Sequence, residues 1–513
     1  MCSRPLRSKC GVLAKNTYNV YPSPPSNMLN SNAIFSAAET SQFSKTISDI
    51  EADLSRLDDE MSQLQMAMDH LATERRKLEM SLDEHRSLVA PIRRIPPEIL
   101  CEMFMHCLVS VPHSFDVTKA PLHLTFVCSK WRRVAISTPW LWSYISLYKA
   151  PIAMELLQIW LLRSGSSPLT LIFEPEDNGD DIASSYFDTI IPHSHRWRDV
   201  TFTFVDTHFM PLEDRAAEIK DHLPMLERLH LVYVDFIDRP MTIFENAPML
   251  NAVTLMEPNR DLLPWHQLKH YHVRTVSTRE CLELLQQCTN LTHCTFENQY
   301  SDSDILNTSM VVHSQLQSLR LVSDGDEIRT LLDSITLPAL RVLNIISSAN
   351  VHQTHVSYFL DRSSCNLQCL ILHIYWTSPE LIVFLQGLPS LVEVAIEEVY
   401  SGMVNEEVLR RMTHNVSRSS SPGPHVLVPK LKRLSFSAKL AFDHKVILDM
   451  VQSRRRHPVL YGNSSADNQV ETLDFISLNF HTNELEPEAI AQITSMQEGG
   501  LEAKIMTYGI HVL

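Results

Sequence analysis

Apolar residues recur along this chain at three different spacings, and each spacing predicts its own kind of element. From Ile47 the steps alternate between three and four: Ile47, Ile50, Leu54, Leu57, Met61, Leu64, Met68 and Leu71, continuing through Arg75 to Leu78 and Leu82. That pattern predicts one long helix over residues 46–90 with a coiled-coil seam. Taking Ile47 as position a, Arg75 also falls at a, where it weakens or registers a dimer. The e and g positions hold Glu51, Asp53, Asp58, Glu60, Glu74 and Glu79, with no Lys or Arg among them. Two parallel copies would repel, so the seam is open to three partners: a second copy, an intramolecular antiparallel contact, or a basic helix of another protein. Residues 1–45 lack such a pattern. Their Pro-rich segment Tyr21-Pro22-Ser23-Pro24-Pro25 argues against an amphipathic targeting helix and predicts a disordered tail.

Residues 91–147 change to a helical period. Pro96-Pro97 sets a helix start, with Glu98 at the positive end of the dipole. Ile99, Leu100, Met103, Phe104, Cys107 and Leu108 then form a wide apolar stripe, limited by Pro112. A second helix is expected after Pro121, with Leu124, Val127, Cys128, Trp131, Val134 and Ala135 on its apolar side. In that setting Cys128 reads as a small hydrophobe. Pro139 breaks the chain before Leu141-Trp142.

Beyond residue 147 short alternating runs interleave with helical ones. An apolar-x-x-apolar-x-apolar unit begins at Trp197, Leu226, Leu250, Leu268, Leu291, Leu316, Leu340, Leu367, Leu391, Leu431 and Val470. The intervals are 29, 24, 18, 23, 25, 24, 27, 24, 40 and 39 residues. Between the units lie amphipathic segments such as Thr278 to Gln287, Asp326 to Ile335 and Pro379 to Gln386. Strand, turn and helix in regular succession predict a solenoid with a parallel sheet over residues 148–513, closed by a helix from Pro487 and a last strand from Leu501. An ordinary α/β domain with similar strands is the alternative. Arg418 to Pro424, Ser-rich, reads as a loop insertion.

These patterns resemble a known family. Ile95-Pro96-Pro97-Glu98-Ile99, Val127-Cys128-Ser129-Lys130-Trp131 and Leu141-Trp142 stand in the order of an F-box module, with Ile95 in place of the usual Leu. The spacing downstream resembles the irregular leucine-rich repeats attached to many F-box proteins. The combination with a heptad helix resembles the large F-box families of mushroom-forming fungi. The resemblance implies an α/β chain in four parts: a tail (1–45), a heptad helix (46–90), an all-α F-box (91–147) and an irregular leucine-rich-repeat solenoid (148–513). It further implies a non-catalytic, substrate-recruiting subunit of an SKP–cullin–F-box ubiquitin ligase. Ile95, Pro96, Ile99, Leu100, Phe104, Leu124, Val127 and Trp131 would meet the SKP-family adaptor, and through it a cullin. The repeats would hold a protein substrate. A small helical subdomain packed on its own core, in a repeat scaffold without a ligase, is the competing expectation.

Composition narrows the field. A net charge of −16 opposes nucleic-acid phosphate and anionic membranes. No apolar run is long enough to span a bilayer, and ten irregularly spaced Cys without a secretory pattern lead us to expect an intracellular, cytoplasmic or nuclear protein. Eleven glycines in 513 residues supply no phosphate-cradling loop and no nucleophile elbow. The closest metal-like spacings are His193/His195, His270/His272, His352/His355 and Cys365/Cys369. None joins a second pair at zinc spacing, so neither metal nor cofactor is expected. The short basic runs, Arg93-Arg94, Lys430 to Arg433 and Arg454 to His457, read as solvated faces or a rim for an acidic partner segment.

Overall fold

A computed structural model describes residues 21–24, 29, 34–108, 115–148, 154–174, 180–204, 215–233, 242–258, 263–300, 310–349, 351–397, 402–414, 426–438, 444–455, 470–480, 487–507 and 510–511. The chain divides into two compact units, Met1–Ile99 and Leu100–Leu513. It is a mixed α/β protein with one long N-terminal helix and a large, mostly parallel sheet that does not close.

In the first unit, helix α1 (Ala37–Val89) runs for 53 residues. It starts earlier than the heptad predicts, inside the expected tail, because Ser36 and Glu39 form a capping box that satisfies the first free amides. Tyr21 also departs from the tail expectation: its hydroxyl donates to Asp53 Oδ2 at 2.8 Å, and Asp53 is buried although it sits on a polar helix. Arg56 pairs with the same carboxylate one turn on. Most of the apolar seam stays open, from 48% exposed at Leu82 to 72% at Leu78, while Ile50 and Leu57 are half-buried.

Helix α2 (Pro97–Cys107) leads into the second unit. The expected second helix is in fact two, α3 (Leu124–Val127) and α4 (Ser129–Ile136). Cys128 between them is fully extended, at φ −161° and ψ 170°, and its backbone turn carries the side chain to the surface. Cys128 is therefore not part of the apolar stripe. Arg132 Nε donates to the Thr125 carbonyl at 2.8 Å and clips the two short helices together.

The sheet then begins before residue 148. Its fifteen strands are β1 (Tyr144–Tyr148), β2 (Leu169–Glu174), β3 (Trp197–Phe204), β4 (Arg228–Tyr233), β5 (Ala252–Leu255), β6 (His270–Val273), β7 (His293–Phe296), β8 (Ser318–Val322), β9 (Val342–Ile346), β10 (Cys369–His373), β11 (Glu393–Glu397), β12 (Arg433–Ala438), β13 (Phe475–Phe480), β14 (Glu502–Thr507) and β15 (Ile510–His511). Spatial order equals chain order throughout, and every pairing is parallel until β15 turns back on β14. A parallel crossover is almost always right-handed. With the strand order never reversing, every crossover must then return over the same face, and among the described residues of this unit the other face carries no crossover helix; it is called the bare face below.

The burial pattern agrees. Val200, Leu229, Val253, Tyr271, Cys294, Leu319, Leu343, Leu370, Val394 and Leu434 pair in one continuous register and are all buried, as are their partners two residues on. Phe173 of β2 points to this same face and meets Phe187 of the β2-to-β3 crossover helix (Asp180–Ile190) at 4.6 Å, so the crossover helices cover it. Further along, Thr278–Gln287, Glu327–Ser334, Gln353–Ser363, Ser378–Gln386, Glu406–Met412, His444–Arg455 and Pro487–Glu498 each lie against the next. Two of them start on capping boxes legible in the sequence, Ser277/Glu280 and Thr377/Glu380. On the bare face the alternate positions are half-buried or exposed, apart from Ser146, Asn344 and Phe475.

One predicted unit is displaced. Leu434 pairs with Ile476 and Phe436 with Leu478, so the last unit runs from Leu473 and not Val470. Phe475 turns outward instead, under Arg433 at 4.1 Å and Lys504 at 5.6 Å, and cation–π attraction compensates its position on the open face. The Arg418 to Pro424 segment lies outside the described residues.

Candidate functional site

The helices of residues 97–142 put apolar side chains on two sides at once. Leu100 and Phe104, one helical turn apart, are fully buried, and the Phe104 ring packs on Trp131 at 5.0 Å. Leu124, Val134 and Ala135 are buried as well. Cys101 Sγ lies 3.3 Å from Thr138 Oγ1, which donates to the Val134 carbonyl at 2.7 Å. Leu100, Phe104 and Leu124 thus belong to the core of this region, a correction to their expected place among partner-facing residues. Four apolar neighbours within two turns could not be sorted into inner and outer sets by period alone.

The outer set is what remains. Ile99 is 51% exposed, Val127 52% and Phe126 61%, with Met103, Met105 and Cys107 also exposed. Ile95 and Trp131 are half-buried, and Pro96 is exposed. Ile99, Met103 and Cys107 repeat every four residues, a second apolar stripe on the helix that buries Leu100 and Phe104. Phe126 was not singled out from sequence. Its signal was available: it lies between Leu124 and Val127 on a helix too short to bury both sides.

The bare face of the sheet is the other candidate surface. His270 and His272 share a side of β6, as their spacing predicts, but each meets a different neighbour. His270 stacks on His293 of β7 with ring centres 4.5 Å apart. His272 Nε2 lies 3.2 Å from Glu297 Oε1. His193 and His195 stand 6.5 Å apart. His352 caps the Gln353–Ser363 helix and lies 3.4 Å from Glu380, while His355 lies 3.5 Å from Asp333. His313 is buried and serves a turn: Nε2 donates to the Cys288 carbonyl at 2.8 Å and Nδ1 accepts from the Leu316 amide at 3.1 Å.

Cys281 on the Thr278–Gln287 helix, Cys288 at its end and Cys294 on β7 are buried, and burial raises all three thiols, Cys288 to about 12. Such thiols stay protonated and behave as small apolar groups. Among the described residues no three His, Cys, Asp or Glu side chains are placed to hold a metal ion, and no helix is long and apolar enough to cross a membrane.

The basic runs resolve unequally. Lys432 and Arg433 lie 3.6 Å from Glu471 and Glu393, in keeping with a solvated face. Arg454 is instead buried, and burial lowers its pKa to about 10. Its guanidinium donates to the carbonyls of Met412 at 2.9 Å, Leu427 at 2.8 Å and Val428 at 3.2 Å. Arg455 donates to the Leu473 carbonyl at 2.9 Å and to that of Gly499. Arg456 and His457 lie outside the described residues.

No family model matches the chain, and no curated protein matches it.

Proposed function

We propose that this chain is an F-box receptor: the substrate-recruiting, non-catalytic subunit of an SKP–cullin–F-box ubiquitin ligase, working inside the cell. The observation that carries the reading is apolar exposure on helices whose inner sides are already filled: Val127 and Phe126 in the second unit, and Ile99 at the end of the first, each stay at least half exposed. Exposed large apolar side chains grouped on a short segment mark a protein-binding surface. The order Ile95-Pro96, Val127-Cys128 and Leu141-Trp142 assigns that partner to the SKP-family adaptor. The open sheet, with strand, turn and helix recurring and all crossovers on one face, is read as an irregular leucine-rich-repeat solenoid whose bare face holds the substrate. Ubiquitin transfer itself belongs to partner enzymes, and this chain supplies proximity.

The test is co-purification with the adaptor. The intact chain is expected to give a one-to-one complex. Ile99→Asp and Val127→Asp, each at an exposed position, should each weaken it at least about a hundredfold while leaving the circular-dichroism spectrum unchanged, since a charge at a central apolar contact costs several kcal/mol. Full retention of the complex in both variants overturns the receptor reading.

The exposed seam of α1 favours a second role, assembly, and belongs to the same proposal. It would pair with a second copy of the chain. Acidic e and g positions oppose that pairing, so it should tighten with salt as the repulsion is screened. Light scattering is expected to give twice the 58.7 kDa chain mass at high salt. In Leu64→Lys/Leu71→Lys the mass should fall to that of one chain. A single-chain mass for the unsubstituted protein at every salt concentration removes self-association from the proposal. A repeat scaffold with no ligase would keep the seam and lose the adaptor complex.

A further inference from the structure

On the bare face the strands β3 to β8 gather cations. By register, Asp199, Arg228, Ala252, His270, His293 and Ser318 form one transverse row. Thr201, His230, Thr254, His272, Thr295 and Arg320 form the next. Arg274 continues the alternation past His272. Among the described residues two acids meet this face, and both are engaged: Asp199 Oδ2 lies 2.7 Å from Arg228 Nε, and Glu297 Oε1 lies 3.2 Å from His272 Nε2. Glu257, beyond the end of β5, faces another acid, Glu280. Left over are His230, near Asp199 but outranked there by Arg228, and the stacked and exposed His270 and His293, Lys269 beside them, Arg274 and Arg320, none of which forms an ion pair with an acid among the described residues. A protein of net charge −16 has concentrated a cationic surplus in one place.

We infer that this stretch of sheet, from β4 to β8, binds an acidic polypeptide segment and grips it more tightly as the pH falls. The inference rests on the receptor reading for its biological sense and names the chemical class of the substrate. Four inter-strand steps of about 4.8 Å span roughly 19 Å, the length of about six extended residues. The outward positions of β4 to β8 carry no Trp, Tyr or Phe on which bases would stack, which favours a peptide over a single-stranded nucleic acid.

The pH dependence follows from the same geometry. Burial, His293 and Lys269 hold His270 below the usual imidazole range. Burial, Arg274 and His272 hold His230 below it, against a weaker opposing pull from Asp199. A bound carboxylate favours the charged imidazoles and so raises their pKa above the free values. Binding then takes up protons, and affinity rises as pH falls through the window between the free and bound values.

The experiment uses the full-length chain and a fluorescently labelled hexaglutamate peptide, with hexaglutamine as control, read by anisotropy at pH 7.5 and pH 5.5. Hexaglutamate is expected to bind about tenfold more tightly at the lower pH, roughly one proton taken up over the histidine range. His270→Gln/His293→Gln should flatten that dependence. His355→Gln, on a crossover helix, should leave it intact. Absence of hexaglutamate binding, equal affinity at both pH values, an unaltered response in the double variant, equal binding of hexaglutamine, or tighter binding of a six-nucleotide single strand each overturns the inference. Adaptor co-purification of the same double variant separates the two readings: an intact adaptor complex with no peptide binding removes only the acidic-segment site. Peptide binding without any adaptor complex leaves this site standing and removes the receptor.

Discussion

Trp142→Ala is expected to destabilise the second unit by about 4 kcal/mol. Trp142 is fully buried. Its ring meets Trp160 edge-on at 4.7 Å, and the Arg163 guanidinium lies over it at 4.4 Å. Its Nε1 donates to the Ala135 carbonyl at 2.8 Å. Phe115 packs on the far side of the same cluster, 4.7 Å from Trp160. This residue therefore joins the helical region to the first crossover helix, Met154–Arg163, by packing, cation–π attraction and a hydrogen bond together. Trp142→Phe keeps most of the packing and loses the N–H, so about 1–2 kcal/mol is expected. Urea unfolding followed by circular dichroism gives both values. A loss below about 1 kcal/mol for the alanine variant would mean that the helical region is not anchored there.

Arg454→Leu comes next, at about 3 kcal/mol. The leucine replaces the aliphatic stem but strands the three carbonyls of Met412, Leu427 and Val428 that the guanidinium satisfies. Each buried acceptor left without a donor costs about 1 kcal/mol or more. Arg454→Lys should recover little, because one ammonium cannot reproduce a planar fork with donors in three directions. The same unfolding measurement decides it, and wild-type stability in Arg454→Lys would refute the role given to the fork.

The two residues mark the limits of what the pattern of the chain reveals. The sheet was legible because a buried face demands an apolar side chain at every second position, and the demand repeats at each strand. The unit starting at Val470 was misplaced for the same reason: Val470, Leu473, Phe475, Ile476 and Leu478 offer two apolar frames, and only the cationic cover over Phe475 separates them. The start of α1 at Ala37 was signalled by Ser36-Ala37-Ala38-Glu39, but polar surroundings hid it from a reading tuned to heptads. Arg454 was illegible in principle. A run of three arginines reads as surface, and its burial depends on carbonyls 26 to 42 residues away. The His270–His293 stack likewise arises from register between neighbouring strands, which no local spacing encodes.

The strand order carries one more consequence. Each strand between β1 and β14 pairs only with those just before and just after it in the chain. Among the described residues no pairing ties the first strands to the last, so unravelling can proceed inward from either end of the sheet without breaking the centre. Amide hydrogens of β8 and β9 should therefore exchange with deuterium more slowly than those of β1 or β14, in a graded profile along the array instead of one shared rate.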